Sequence, residues 1–347
     1  MRIRYIFCGR PGDRIRENRC RERTLNKYPP ATDPSMKVEY PVTVPDIIPL
    51  MRDYISPPDD HDTYADLYGY GSENPDFFTP FQPDLEGTRL DGEVTTLPAL
   101  LAAIGEGGAP LMLEMLNACG VDAAVVHAYD TLEHEIVAKV QRQSHGQLVG
   151  LAGVSPKSRP VAEKQIEHAI GELGLKGVSI APYANGLYAD DPAFYPIYSK
   201  CSELGVPINI HGSTHLLRNA PNDCSHPSRL DRVAIDFPDL AIVAHHGGWP
   251  WVLELMSVAL RHPNFYISPA GMRPRNFVKP GSGWDALLQF GDTLLRNRIL
   301  WGSNWPMLPI RRSLDEIKAL PLREASLDAW LGGNAARLFN LNPSPES

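Results

Sequence analysis

Long apolar runs are missing from this chain of 347 residues. None approaches the roughly 18 residues of a membrane-spanning helix, so no membrane span is predicted. Paired cysteines are missing as well. Cys8, Cys20, Cys119, Cys201 and Cys224 are odd in number, widely spaced and free of any CxxC pair. That argues against a disulfide framework and for a cytoplasmic setting. Nor is there an excess of positive charge: 33 Lys and Arg face 41 Asp and Glu, a formal net charge of −8. A surface for nucleic acid or anionic lipid is therefore not expected, and the expected partner is a small-molecule substrate.

Residues 1–36 read as an N-terminal extension. MRIRYIFCGRPGDRIRENRCRERTLNK is rich in arginine and has no long apolar core, which speaks against a secretory signal. Asp13, Glu17 and Glu22 speak against a transit peptide. The stretch is expected to be disordered, or to precede a start at Met36. Residues 37–341 are expected to form a single domain, with 342–347 as a tail.

Within that domain, compact β-rich runs alternate with amphipathic stretches. The candidate strands are Val38–Val44, Asp122–His127, Val149–Val154, Gly177–Ala181, Val206–His211, Ala241–His245, Asn264–Ser268 and Ile299–Ser303. Most are continuous apolar runs, as expected of parallel strands buried on both faces. PVAEKQIEHAIGELG carries helical spacing and a glycine stop, and DPAFYPIYSKCSELG opens on Asp-Pro and closes on glycine. Eight strands with intervening helices predict an α/β fold, a (β/α)₈ barrel. An open doubly wound sheet is the alternative, weakened because no GxGxxG follows the first strand. Residues 56–96, dense in Pro, Gly, Asp and aromatics, form a long insertion after strand one and are expected to pack as a lid.

In such a barrel the strand C-termini face one shared site. Here they are His127, Pro182, His211, His245, Ser268 and Asn304. The segment IVAHHGGWPW, residues 242–251, carries one of these ends. Gly247 and Gly248 permit a sharp turn beside the imidazole, and Pro250 suits a first helical turn. His246 reads as a satisfied histidine beside that helix start.

Several segments resemble the amidohydrolase-related family, in the branch with aromatic-acid decarboxylases and lactonases. They are residues 174–212, FPDLAIVAHHGGWPW, HPNFYISPAG, RILWGSNWP and GGNAARLF. The resemblance implies a barrel holding one divalent metal, bound by an H-x-H pair on strand one, a histidine on strand five and an aspartate on strand eight. Carried over by motif, His211 matches the strand-five ligand and His245 the strand-six histidine. Asn304 stands where the aspartate is expected, and Val42 and Val44 fall at the H-x-H positions. With His211 the only retained ligand position, no tightly bound metal is expected. The alternative is a divalent Zn or Mn, with the site rebuilt from His61, His215 or His226.

The leading functional expectation is a hydrolase of a small ester, lactone or acyl substrate. In it, His245 is the base, His211 polarises a carbonyl and Asn304 donates to an oxyanion. Arg273 and Arg275 offer a fork for a carboxylate or phosphate, and Tyr183 and Trp305 line the pocket. Asp223 and His226 are an alternative acid/base pair, or helix-start residues. One alternative function is decarboxylation of an aromatic or unsaturated carboxylic acid. The other is a catalytically silent barrel that binds a ligand or partner. The resemblance also implies a homodimer.

Overall fold

A computed structural model describes residues 36–42, 110, 112–127, 134–156, 159–215, 220–305, 308 and 310–341. The expected lid at 56–96, His61, the N-terminal extension and the tail lie outside these.

Seven parallel strands follow one another in chain order around a single curled sheet. They are β1 Val38–Val42, β2 Ala123–His127, β3 Leu148–Gly153, β4 Gly177–Ile180, β5 Ile208–His211, β6 Ile242–His245 and β7 Phe265–Ser268. Each lies inside or overlaps its predicted run. Sequential parallel pairing with intervening helices is the (β/α)₈-barrel arrangement. Pro41 brings no N–H to β1, and the β1–β2 register shifts between Glu39 and Val42.

The eighth position departs from expectation. Residues Ile299–Ser303 form no ladder, only a bridge between Ile267 and Ile299. The backbone groups are bonded elsewhere. The Ile299 carbonyl accepts from the Asn334 amide at 2.7 Å, and the Trp301 N–H donates to the Trp330 carbonyl at 2.9 Å. The C-terminal segment thus takes hydrogen bonds that a regular eighth strand would make.

Strand periodicity divides the core in two. Ala124, Val126, Val178, Ile208, Ile210, Ile242, Ala244, Phe265 and Ile267 point outward into the layer beneath the helices. Their alternates Ala123, Val125, Val149, Leu151, Val243 and Tyr266 point inward, where they meet Ala335, Leu338 and Phe339 of the helix Asn334–Phe339. Burying a large apolar side chain in either layer contributes about 1.5–3 kcal/mol. By the same alternation Ser179, Asn209, Ser268 and three strand-end histidines face the barrel interior.

The helices obey their local signals. Asp191 accepts from the Ala193 N–H at 2.9 Å, capping the turn that leads into the helix Tyr195–Leu204, and Gly205 closes that helix with φ 68°. His226 caps the helix Pro227–Asp236, its Nδ1 accepting from the Ser228 N–H at 3.3 Å. Among the described residues Cys119, Cys201 and Cys224 are buried. No helix among them is long and apolar enough to cross a membrane.

Candidate active site

Parallel strands end at the same rim, so residues far apart in the chain meet there. His211 and His245 are register partners on β5 and β6, and His245 is opposite Ser268 on β7. His127, the last residue of β2, places its ring 6.0 Å from that of His245, edge to face.

A fourth imidazole joins them through the turn after β6. His246, Gly247 and Gly248 all adopt left-handed backbone, with φ of 67°, 67° and 80°. This curls the chain back so that the His246 ring lies 3.6 Å from His245 and 4.8 Å from His211. A Cβ on Gly247 would stand 2.8 Å from the Trp284 ring, and one on Gly248 would stand 2.7 Å from a Leu255 methyl. Glycine is therefore required at both positions for steric as well as conformational reasons.

On the other flank Tyr183, in the turn Pro182–Asn185, stands edge-on to His211 at 4.5 Å. His215 stacks on Tyr183 at 4.6 Å and donates from Nε2 to the Pro221 carbonyl at 2.8 Å. Asn304 is buried at the end of the eighth position with φ 56°, a left-handed conformation that asparagine tolerates well. It favours the charged form of its neighbour His245.

Burial dominates the electrostatics. It pushes His127 down to about 3 and His246 down to about 4. It holds His211 and His245 well below the usual imidazole range, and the charge of His246 lowers both further. At neutral pH the cluster is a set of uncharged imidazoles. Among the described residues, His211 Nδ1 is buried without a hydrogen-bond partner. An orphaned polar atom of this kind costs about 1–3 kcal/mol unless a ligand satisfies it.

The donor set can be tested against a divalent metal. It offers neutral imidazoles and one amide, with no carboxylate. No three His, Cys, Asp or Glu side chains among the described residues stand where one ion can be held. Manganese prefers oxygen donors, so these residues as placed do not fit it. Two of the loop histidines considered for rebuilding a site have other partners. His226 is a helix cap 3.1 Å from Glu254, and His215 stands behind Tyr183.

The remaining predicted residues are dispersed. The buried Arg273 guanidinium pairs with Glu316, whose other oxygen accepts from the Arg275 N–H at 3.2 Å. Trp305 is buried in the outer core, its N–H donating to Ser303 Oγ at 3.0 Å. The structure therefore gathers His211, His245, Asn304 and Tyr183 with His127, which the sequence places among the strand ends of the shared rim, and adds one residue read from sequence as structural, His246. Position at a strand end on the inward parity was the available signal for His127.

Comparison with known proteins now bears on this rim. The amidohydrolase family model matches residues 106–341, which include β2 through β7 and every histidine of the cluster. The chain belongs to the amidohydrolase family. A 2-amino-3-carboxymuconate-6-semialdehyde decarboxylase from Dictyostelium discoideum is 31% identical over 60% of this chain and 65% of its own length. The chain thus spans just under two thirds of that relative. A gamma-resorcylate decarboxylase from Polaromonas is 22% identical over 76% of this chain and 93% of its own. Among solved structures, 5-carboxyvanillate decarboxylase from Sphingomonas paucimobilis superposes with a TM-score of 0.59 at 20% identity, covering 88% of this chain and 99% of that one. A dihydroxybenzoic acid decarboxylase from Polaromonas, solved with manganese and 2-nitroresorcinol, gives a TM-score of 0.56 at 16% identity over 89% and 98% of the two chains.

The hydrolase expectation is corrected, because the named relatives are decarboxylases.

Proposed function

We propose that the chain is a decarboxylase acting on a small aromatic or unsaturated carboxylic acid. The observation that carries this reading is the inward-facing imidazole rim of His127, His211, His245 and His246, in a family whose curated relatives are named for loss of a carboxyl group.

Decarboxylation without oxidation needs little beyond this. The bond between the substrate carbon and its carboxylate breaks, CO₂ leaves, and the electron pair left on carbon takes up a proton. The protein must hold an anion, exclude water and deliver that proton to one carbon. His245 is the residue placed to deliver it, being buried, flanked by His127 and His246 and bordered by Asn304. A bound carboxylate favours the protonated imidazole by Coulomb attraction, so substrate and acid are brought together. Tyr183 supplies an aromatic wall beside His211.

Relatives solved with manganese support a divalent ion as the alternative to the metal-free expectation. Such an ion would supply Lewis-acid binding of the carboxylate. The donors described above do not fit manganese, so each role here is assigned to the chain's own side chains.

The test is CO₂ release from purified protein offered 2,6-dihydroxybenzoate, 5-carboxyvanillate and unsaturated dicarboxylic acids. It is run as purified, after chelation and with added manganese or zinc, with metal content measured by mass spectrometry. Turnover of at least one acid, lost in His245→Gln, is the expected result. No release from any acid under all three conditions overturns the proposal.

A further inference from the structure

The turn that carries the chain away from His245 is gripped from both sides. On the β5 side, the Gly212 N–H donates to the His245 carbonyl and the Thr214 N–H to the Trp249 carbonyl, each at 2.9 Å. On the β7 side, the indole N–H of the half-buried Trp249 donates to the Ser282 carbonyl at 3.2 Å. Trp249 therefore bonds to both flanking loops, through its backbone to one and through its side chain to the other.

The loop reached by the indole also supports the turn at a second point. The Trp284 ring fills the space beside Gly247, where a Cβ would stand 2.8 Å from it, and packs on Phe277 at 4.5 Å. Residues 279–284 fall between the turn Pro274–Asn276 and the helix Asp285–Gly291, and Gly281 and Gly283 there have left-handed φ of 75° and 84°. Glycine backbone is readily reshaped, so contacts must fix this segment. The indole edge supplies one: the atoms nearest a Cβ on Gly283 are Trp249 Nε1 and Cδ1, at 3.9 and 4.0 Å.

A catalytic group has to be held within about 0.5 Å of its productive place, and a displacement of about 1 Å costs up to about 10²-fold in rate. We propose that Trp249 is a positioning residue: its indole N–H fastens the loop after β7 to the turn after β6 and so holds the His245 ring in register with the reacting carbon. The effect on rate rests on the decarboxylase reading; the fastening itself does not. A tryptophan that only fills space acts through its bulk, whereas this role needs the N–H.

The decisive variant replaces Trp249 in the full chain with 3-benzothienylalanine, which keeps the bicyclic shape and puts sulfur where the N–H stands. For an acid that wild type decarboxylates, kcat is expected to fall about tenfold while KM changes less than about twofold. An unchanged kcat, or one that falls only as far as the folded fraction read by circular dichroism, overturns the proposal. Two readouts need no substrate. The Trp249 indole proton, identified as the NMR signal missing from Trp249→Phe, is expected to exchange with D₂O at least about tenfold more slowly than an exposed indole. Exchange at the exposed rate removes the bond and the proposal with it. The His245 ring signal is expected to shift in the benzothienyl variant, and an unmoved signal overturns the proposal. If wild type releases CO₂ from no acid, the decarboxylase reading fails and the rate claim falls with it, while these two readouts still decide whether Trp249 holds the ring.

Discussion

His211 and His245 are direct register partners on adjacent parallel strands, 34 residues apart in the chain and side by side at the barrel rim. Both face inward by strand parity, and burial keeps both uncharged in the free protein. Much of the site's chemistry follows from that pairing.

Replacing His245 with glutamine removes the residue proposed to deliver the proton while roughly conserving volume. Loss of general-acid chemistry of this kind costs about 10²–10⁴-fold. The expected outcome is a fall in kcat within that range with little change in KM, and an unaltered circular dichroism spectrum. A kcat within twofold of wild type contradicts the assignment.

Asn304→Asp places a carboxylate beside His245 at a position whose left-handed backbone aspartate also tolerates. A nearby negative charge favours the imidazolium, so His245 should titrate at higher pH than in wild type. Histidine NMR titration of the two proteins reads this directly. Metal analysis should also show more divalent ion retained by the variant, because the cluster gains its first carboxylate donor.

Stability should fall on acidification through the histidine range. His246 titrates at about 4 and His127 at about 3 in the fold, against 6.5 for the free side chain. Between those values the unfolded chain binds protons that the folded chain does not, so stability rises with pH. The stability is fully present above about 6.5 and is lost as pH drops toward 4. Taking about 1.4 kcal/mol per pH unit, His246 alone accounts for on the order of 3 kcal/mol. Urea midpoints at pH 7.5 and 5.0 should show the drop, and His246→Asn should reduce it.

Arg273 and Glu316 form a buried pair that ties the loop after β7 to the helix Ile310–Lys318. Glu316→Ala strands the guanidinium and should cost about 3–5 kcal/mol. Joint removal in Arg273→Met with Glu316→Leu should cost less than the single change. If the two variants are equally unstable, the pair is not what matters at that contact.

The barrel was legible because its signals are local. Compact apolar runs marked β2 to β7, Asp191 and Gly205 bounded their helix, and the arithmetic of parallel strands put His211 and His245 on one rim. No local pattern could show that Asn334 would take the Ile299 carbonyl and reduce the eighth strand to a single bridge. The same holds for Arg273, which reads as a free anion-binding fork until Glu316, 43 residues away, is folded against it. His246 is the clearest case. Its place beside two glycines is written in the chain, but the proton on its Nδ1 is set by the Ala270 carbonyl across the turn after β7. Secondary structure depends on neighbours a few positions apart, whereas hydrogen-bond partnership and desolvation depend on which distant segments closure of the sheet brings together.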